Sequence, residues 1–348
     1  VVLWIFARWF ASRNVLPPST PYWAAGFAAI SPFFLWFGQE ARPYALWGLL
    51  APLSTYLLLR ATESNRFYPK WAAGFVVAEL MFLTSHFYAI FLLPVHALMI
   101  FLWLDKRSRR LALAVMGCII ATGAAVGATL YWFFIVVRFG GGNFARAKLD
   151  VLLPDLLNAF SLGLSVDIDR VWWIDLVFGA VILLGAVWTL RTRKSIANFG
   201  WLPIAMITVP VGELLLVNQM LPAYMTARQL TLIGGAMLLL LGGGMGVITR
   251  YQRWAAVGVA GLLVVATGYS TVNYFTLEEY AKGDISGLGS YLDDRIAPGD
   301  ALLIKSPYSW RIADRILPTN AVDAAHSAGV DSVHFGVPIL KVGWEETA

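Results

Sequence analysis

Charge is what this sequence has least of. Only 14% of its 348 residues are Asp, Glu, Lys or Arg, against about 25% in ordinary soluble domains. So little charge cannot cover a water-soluble surface, and 59% hydrophobic residues with a mean hydropathy of +0.68 place the chain in a bilayer. Cysteine is almost absent. Cys118 is the single one and sits inside an apolar run, which excludes a disulfide framework and a cysteine-based metal site within the chain. No internal repeat or low-complexity tract stands out. The net charge of +5 is no sign of a nucleic-acid partner, because the basic residues lie in short loops between apolar runs, where they set topology. The chain opens at Val1 inside a hydrophobic segment, without an initiator Met, a basic leader or a cleavage site, so it reads as a fragment missing its N-terminus.

What is present is a succession of apolar segments. A spanning helix needs roughly 20 apolar residues. That length predicts a partial span at 1–11 and spans near 22–38, 43–60, 71–87, 89–104, 111–137, 171–190, 201–219, 230–248 and 254–272, about nine full spans and a stub. As one helix the 71–104 run would be roughly 50 Å long, well beyond a hydrocarbon core of about 30 Å, so it must be a hairpin turning near residues 86–89. Folding it there places Glu79 and His96 at similar depth, where a buried hydrogen-bonded pair is expected. Glu213 is a second acid within a span, with no partner legible in the sequence. The Gly242-Gly243-Gly244 run, also within a span, predicts close helix packing.

The loop cations test the assignment. Arg8, Arg13, Arg60, Arg66, Lys70, Lys106, Arg107, Arg109, Arg110, Arg191, Arg193, Lys194, Arg250 and Arg253 fall in alternate loops, fourteen on one side. The other side has six: Arg42, Arg138, Arg146, Lys148, Arg170 and Arg228. The richer side is cytoplasmic by the positive-inside rule, so 39–44, the long 138–170 loop and the C-terminus face outward. Beyond Thr276 the composition turns to Asp, Glu, Gly and Pro. A helix-like stretch at 285–296, a Pro298-Gly299-Asp300 turn and a strand at 300–305 read as the start of a small, incomplete α/β domain over 277–348, outside the 1–276 membrane domain.

The chemistry-bearing signal is the 31–46 segment, Ser-Pro-Phe-Phe-Leu-Trp-Phe-Gly-Gln-Glu-Ala-Arg-Pro-Tyr-Ala-Leu, which sets Glu40 and Arg42 between two apolar runs. It resembles the S-P-F-x-x-x-x-S-Q-E-A-R-x-Y-x-L segment of C-type integral-membrane glycosyltransferases, in the branch of protein O-mannosyltransferases and lipid A aminoarabinose transferases. Thr84-Ser85-His86-Phe87-Tyr88-Ala89 is similar to that family's outward Thr-His-Tyr-Tyr turn. Weaker likenesses are 224–230, with Arg228-Gln229 where the family often has Arg-Tyr, and 284–300, where Ile285-Ser286 replace Trp-Arg.

The resemblance implies transfer of a sugar from a polyprenyl-phosphate carrier to a lipid, protein or glycan acceptor at the outer face of the plasma (inner) membrane. It also implies that the first span and outer loop, with the family's catalytic Asp, precede this sequence, so that the chain alone would not transfer sugar. Such a reaction needs a carboxylate to take the acceptor's proton and positive charge for the leaving phosphate. On this reading Arg42 and Arg228, with Tyr44, hold the donor phosphate. Glu40 supports by orienting the acceptor or holding a divalent metal, and His86 is a metal or substrate ligand. The plainer readings make Glu40 a favourable charge at a helix start before Pro43, the arginines headgroup anchors and His86 an interfacial belt residue. Gly140-Gly141-Gly142 lacks the flanking residues of a phosphate loop and reads as a hinge. The rival functions are a multi-pass lipid or sugar transporter or flippase, and a non-catalytic membrane scaffold.

Overall fold

A computed structural model of the chain describes residues 1–40, 42–63, 68–104, 106–131, 148–192, 199–220 and 226–280, and then 287, 290–291, 295, 302–304, 332–334 and 337–341. It has two compact units, Val1–Tyr280 and Ala281–Ala348. The first is all-helical: α1 (Val2–Ser12), α2 (Thr20–Ile30), α3 (Pro32–Gly38), α4 (Tyr44–Ala61), α5 (Pro69–Ser85), α6 (Leu93–Trp103), α7 (Lys106–Tyr131), α8 (Leu149–Ser161), α9 (Ile168–Arg191), α10 (Leu202–Met220), α11 (Gly234–Tyr251) and α12 (Arg253–Thr276). In the second, β1 (Leu302–Ile304), β2 (Ser332–His334) and β3 (Val337–Lys341) form a sheet in the order β1-β3-β2, with β1 parallel and β2 antiparallel to β3. β1 falls inside the expected 300–305 strand, and most of the 285–296 stretch lies outside the described residues.

Among the described residues five helices are long and apolar enough to cross a membrane: Ser108–Ala125, Ile168–Arg191, Leu202–Met220, Ala227–Tyr251 and Arg253–Thr276. The 22–38 span divides at Ser31. Pro32 has no N–H to give, and Ser31 is extended with its hydroxyl accepting the Phe34 N–H at 3.5 Å, so a new helix starts there. The 71–104 run is a hairpin: α5 ends at Ser85, His86 is extended, and a 3₁₀ segment (Phe87–Leu92) leads into α6. Its two arms are tied by Glu79 and His96, whose Oε1 and Nδ1 lie 3.1 Å apart with both side chains fully buried. The expected pair therefore forms. The segment expected as a long loop holds α8, with Leu152, Leu156, Ala159 and Phe160 buried at helical spacing. Gly163 ends that helix in the left-handed region (φ 80°), where a Cβ added by any other residue would press on Pro32.

The central helix is α11, continuing the 3₁₀ segment Ala227–Ile233: 94% of an 18-residue apolar stretch within Ala227–Tyr251 is buried, against 17–33% for those of the other four. Glycine makes this possible, since a Cβ on Gly244 would collide with the Val181 carbonyl of α9, and one on Gly242 with Ala24 of α2.

Contacts among helix termini sort into two ends. At one, Arg13 and Arg60 both pair with Glu63, Thr192 Oγ1 donates to the Val15 carbonyl at 3.4 Å, Trp23 Nε1 donates to Thr249 Oγ1 at 3.1 Å, and Arg250 lies over Trp188. At the other, Tyr274 donates to Gln39 Oε1 at 2.7 Å, Asn273 Nδ2 to the Ser165 carbonyl at 3.0 Å, and the Ala227 N–H to Asp155 Oδ2 at 3.1 Å. The basic loops holding Arg13, Arg60, Arg191 and Arg250 thus gather at one end, as the loop charges require. Arg138 and Arg146 lie outside the described residues.

Candidate functional site

The site is built from three chain segments that meet at the Gln39 end. The first is the link between α3 and α4. The Glu40 N–H bonds back to the Phe37 carbonyl at 3.3 Å, so Glu40 belongs to the turn that closes α3. α4 begins at Tyr44 after Pro43, so Glu40 precedes that helix and stands outside its first turn, which holds no acid. α12 braces the link through Tyr274, whose ring centroid lies 4.7 Å from that of Trp36 and whose hydroxyl bonds Gln39. Glu40 is half-buried and close enough to act electrostatically on the same hydroxyl.

Tyr44 opens α4 and is buried, edge-on to Phe37 at 5.2 Å and to Trp47 at 5.4 Å. The second segment enters here: the Arg228 guanidinium, from the 3₁₀ segment before α11, stands 5.8 Å over the Tyr44 ring. Cation–π geometry of this kind holds an arginine side chain in place over the ring. Ala227, beside it, is held by Asp155 of α8.

The third segment is the α5 turn. His86 lies 4.1 Å from the fully buried Trp47, perpendicular to it, and its Nδ1 accepts the Tyr88 N–H at 3.3 Å. Nδ1 is therefore unprotonated and Nε2 carries the ring hydrogen. Burial pushes the imidazole from its ordinary 6.5 down to about 3, so at neutral pH it supplies a hydrogen bond and no charge.

That shift has a measurable sign. Between pH 6.5 and about 3 the unfolded chain binds a proton that the fold refuses, so the stability this site contributes is complete above about pH 6.5 and falls as the pH is lowered through that window. Thermal unfolding in detergent should therefore show a midpoint that drops from pH 7 to pH 4 in the wild type and drops less in His86→Asn, whose amide oxygen also accepts the Tyr88 N–H. Equal slopes would show that His86 is not held neutral.

Of the residues singled out from the sequence, Tyr44, His86 and Arg228 are thus joined through Trp47 and the Tyr44 ring, and Glu40 lies at the same end. Arg42 is exposed, and among the described residues no hydrogen bond or ion pair ties it to the others. Tyr224, Met225 and the Gly140-Gly141-Gly142 run lie outside the described residues. Sequence reasoning missed Asp155, which sits in what reads as loop; the helical spacing of Leu152, Leu156 and Ala159 is the signal that would have found its helix. Among the described residues no three His, Cys, Asp or Glu side chains converge to hold a metal, so a divalent ion beside Glu40 has no set of ligands assigned.

The arrangement offers a half-buried cation on an aromatic platform, a nearby carboxylate and a neutral imidazole, at one end of apolar helices. It suits an anion attached to a lipid better than a soluble one, because a lipid-borne phosphate rests at the depth where spanning helices end. Compared with known protein families and with curated proteins, the chain matches no family model and no characterised sequence.

Proposed function

We propose that this chain is a polytopic membrane glycosyltransferase that moves a sugar from a polyprenyl-phosphate carrier to an acceptor at the extracytoplasmic face of the plasma membrane. The observation that carries the reading is the Arg228 guanidinium above Tyr44, at the end of the helical body where Glu40 and His86 also lie. In this reading the body crosses the membrane about nine times, its short helices spanning in pairs, and residues 277–348 form an α/β segment outside.

Arg228 holds the carrier phosphate by paired charge-assisted hydrogen bonds and stabilises its charge as the glycosidic bond breaks. Exposed Arg42 meets the same phosphate from the rim. Glu40 orients the acceptor hydroxyl or helps to hold a divalent metal, and neutral His86 offers a hydrogen bond to the sugar.

A photoreactive polyprenyl phosphate, added to the protein in lipid nanodiscs, tests this. Crosslinks are expected on 39–44 and 227–233, competed by the unlabelled lipid phosphate and not by a polyprenol lacking phosphate. Labelling spread evenly over the apolar helices would defeat the reading. Supplied with the base-bearing segment that the resemblance implies, the protein in membranes should transfer a labelled sugar from its polyprenyl phosphate to a membrane acceptor, releasing the lipid phosphate; donor moved across the bilayer intact would make it a transporter instead.

A further inference from the structure

We infer that Asp155 is a positioning residue for the phosphate-binding arginine, acting through the backbone of Ala227. The inference rests on the function proposed above and adds to it a residue from a different helix. Asp155 Oδ2 accepts the Ala227 N–H at 3.1 Å, across 72 residues of sequence. Ala227 is fully buried and begins the 3₁₀ segment, so its N–H has no earlier carbonyl within that segment to reach. The next residue is Arg228.

Anchoring the Ala227 N–H fixes the peptide plane from which the Arg228 side chain departs. The Gln229 N–H then closes the first turn on the Thr226 carbonyl at 3.2 Å, and the Thr231 hydroxyl closes the next on the Arg228 carbonyl at 2.6 Å. With its backbone held on both sides, the guanidinium is delivered over Tyr44. α8 itself is placed independently of Arg228. Its Asn158 Nδ2 donates to Asp175 Oδ2 of α9 at 2.9 Å, and its Ser161 hydroxyl donates to Asp175 Oδ1. Asp155 thus transmits the position of a helix anchored on α9 to a side chain at the site. The property that matters is hydrogen-bond acceptance at one oxygen, which asparagine shares, rather than negative charge.

The test is a set of affinities for polyprenyl monophosphate, measured on the detergent-purified chain. Asp155→Ala is expected to weaken binding about tenfold, the factor that goes with one lost hydrogen bond to a charged group, and Asp155→Asn to stay within about threefold of wild type. In an Arg228→Ala background the Asp155→Ala change should have no further effect, because the two residues act in series. A tenfold loss that persists in that background, or wild-type affinity in Asp155→Ala, overturns the inference while leaving the proposed function standing. If Asp155→Ala fails to fold, Asp155→Asn decides alone: near-wild-type affinity supports positioning, and a tenfold loss gives the charge a direct role and overturns it. A wild-type chain that does not bind polyprenyl monophosphate removes the proposed function and this inference with it.

Discussion

Replacing His96 with leucine is expected to destabilise the helical body by about 3–5 kcal/mol, the cost of leaving one member of a buried pair without its partner. His96 Nε2 lies 2.9 Å from Thr55 Oγ1, and that hydroxyl already donates to the Ala51 carbonyl at 2.8 Å, so it accepts the ring N–H. Nδ1 faces Glu79 Oε1 at 3.1 Å, and one proton lies between them. The imidazole therefore joins α4, α5 and α6 through a carboxyl group and a hydroxyl that are all fully buried. Among the described residues the second oxygen of Glu79 finds no hydrogen-bond partner, so losing His96 would strand the whole carboxyl group in an apolar interior. Glu79→Leu should cost a similar amount by orphaning the ring nitrogen. The double variant Glu79→Leu with His96→Leu should recover most of the loss, since an apolar pair of similar bulk owes no hydrogen bonds. Unfolding midpoints of the four proteins in one detergent give the cycle. A His96→Leu variant within about 1 kcal/mol of wild type, or a double variant as unstable as the sum of the singles, would show that the pair is not coupled.

The second large effect concerns binding. Arg228→Ala is expected to weaken polyprenyl monophosphate binding about 100-fold, close to 3 kcal/mol, which is what two charge-assisted hydrogen bonds to one phosphate contribute. Its Tyr44 contact contributes only about 0.5–1 kcal/mol to folding, so the melting midpoint should move little by comparison. Arg228→Lys should restore part of the affinity through charge while losing the two-pronged geometry. Tyr44→Leu, which removes the platform and keeps the cation, should weaken binding less than Arg228→Ala and in the same direction. Affinity unchanged in Arg228→Ala would take the arginine out of the site and leave it an anchor for lipid headgroups.

Much of this was legible in the residue order, and the reasons are particular. Glu79 and His96 could be paired from sequence because the two arms of a tight hairpin advance by the same rise per residue, so positions equidistant from the turn share a depth. Thr55 could not be added to them. It belongs to α4, and the register of a third helix against a hairpin is set by side-chain packing rather than by chain length. The same limit applies at the candidate site. Glu40, Tyr44, His86 and Arg228 each carry a local signal, yet their joining through Trp47 and the Tyr44 ring depends on α4 lying beside both the α5 turn and the segment before α11. Asp155 was harder to see, because Pro154 beside it reads as a loop residue and obscures the helical spacing of Leu152, Leu156 and Ala159 that marks its helix.

Composition and loop charge alone determined that this chain is a helical, membrane-type protein whose basic loops gather at one end. Those properties follow from transfer free energies that each segment meets by itself, since a spanning helix satisfies its own backbone hydrogen bonds whatever its neighbours do. Tertiary structure alone decided that α11 is the buried centre, with Gly242 and Gly244 admitting neighbouring backbones. It alone brought Arg228 over Tyr44 and tied Ala227 to Asp155. Apolar helices are almost equally content against lipid or against one another, so hydropathy does not say which faces touch; close packing at small residues and a few buried hydrogen bonds do.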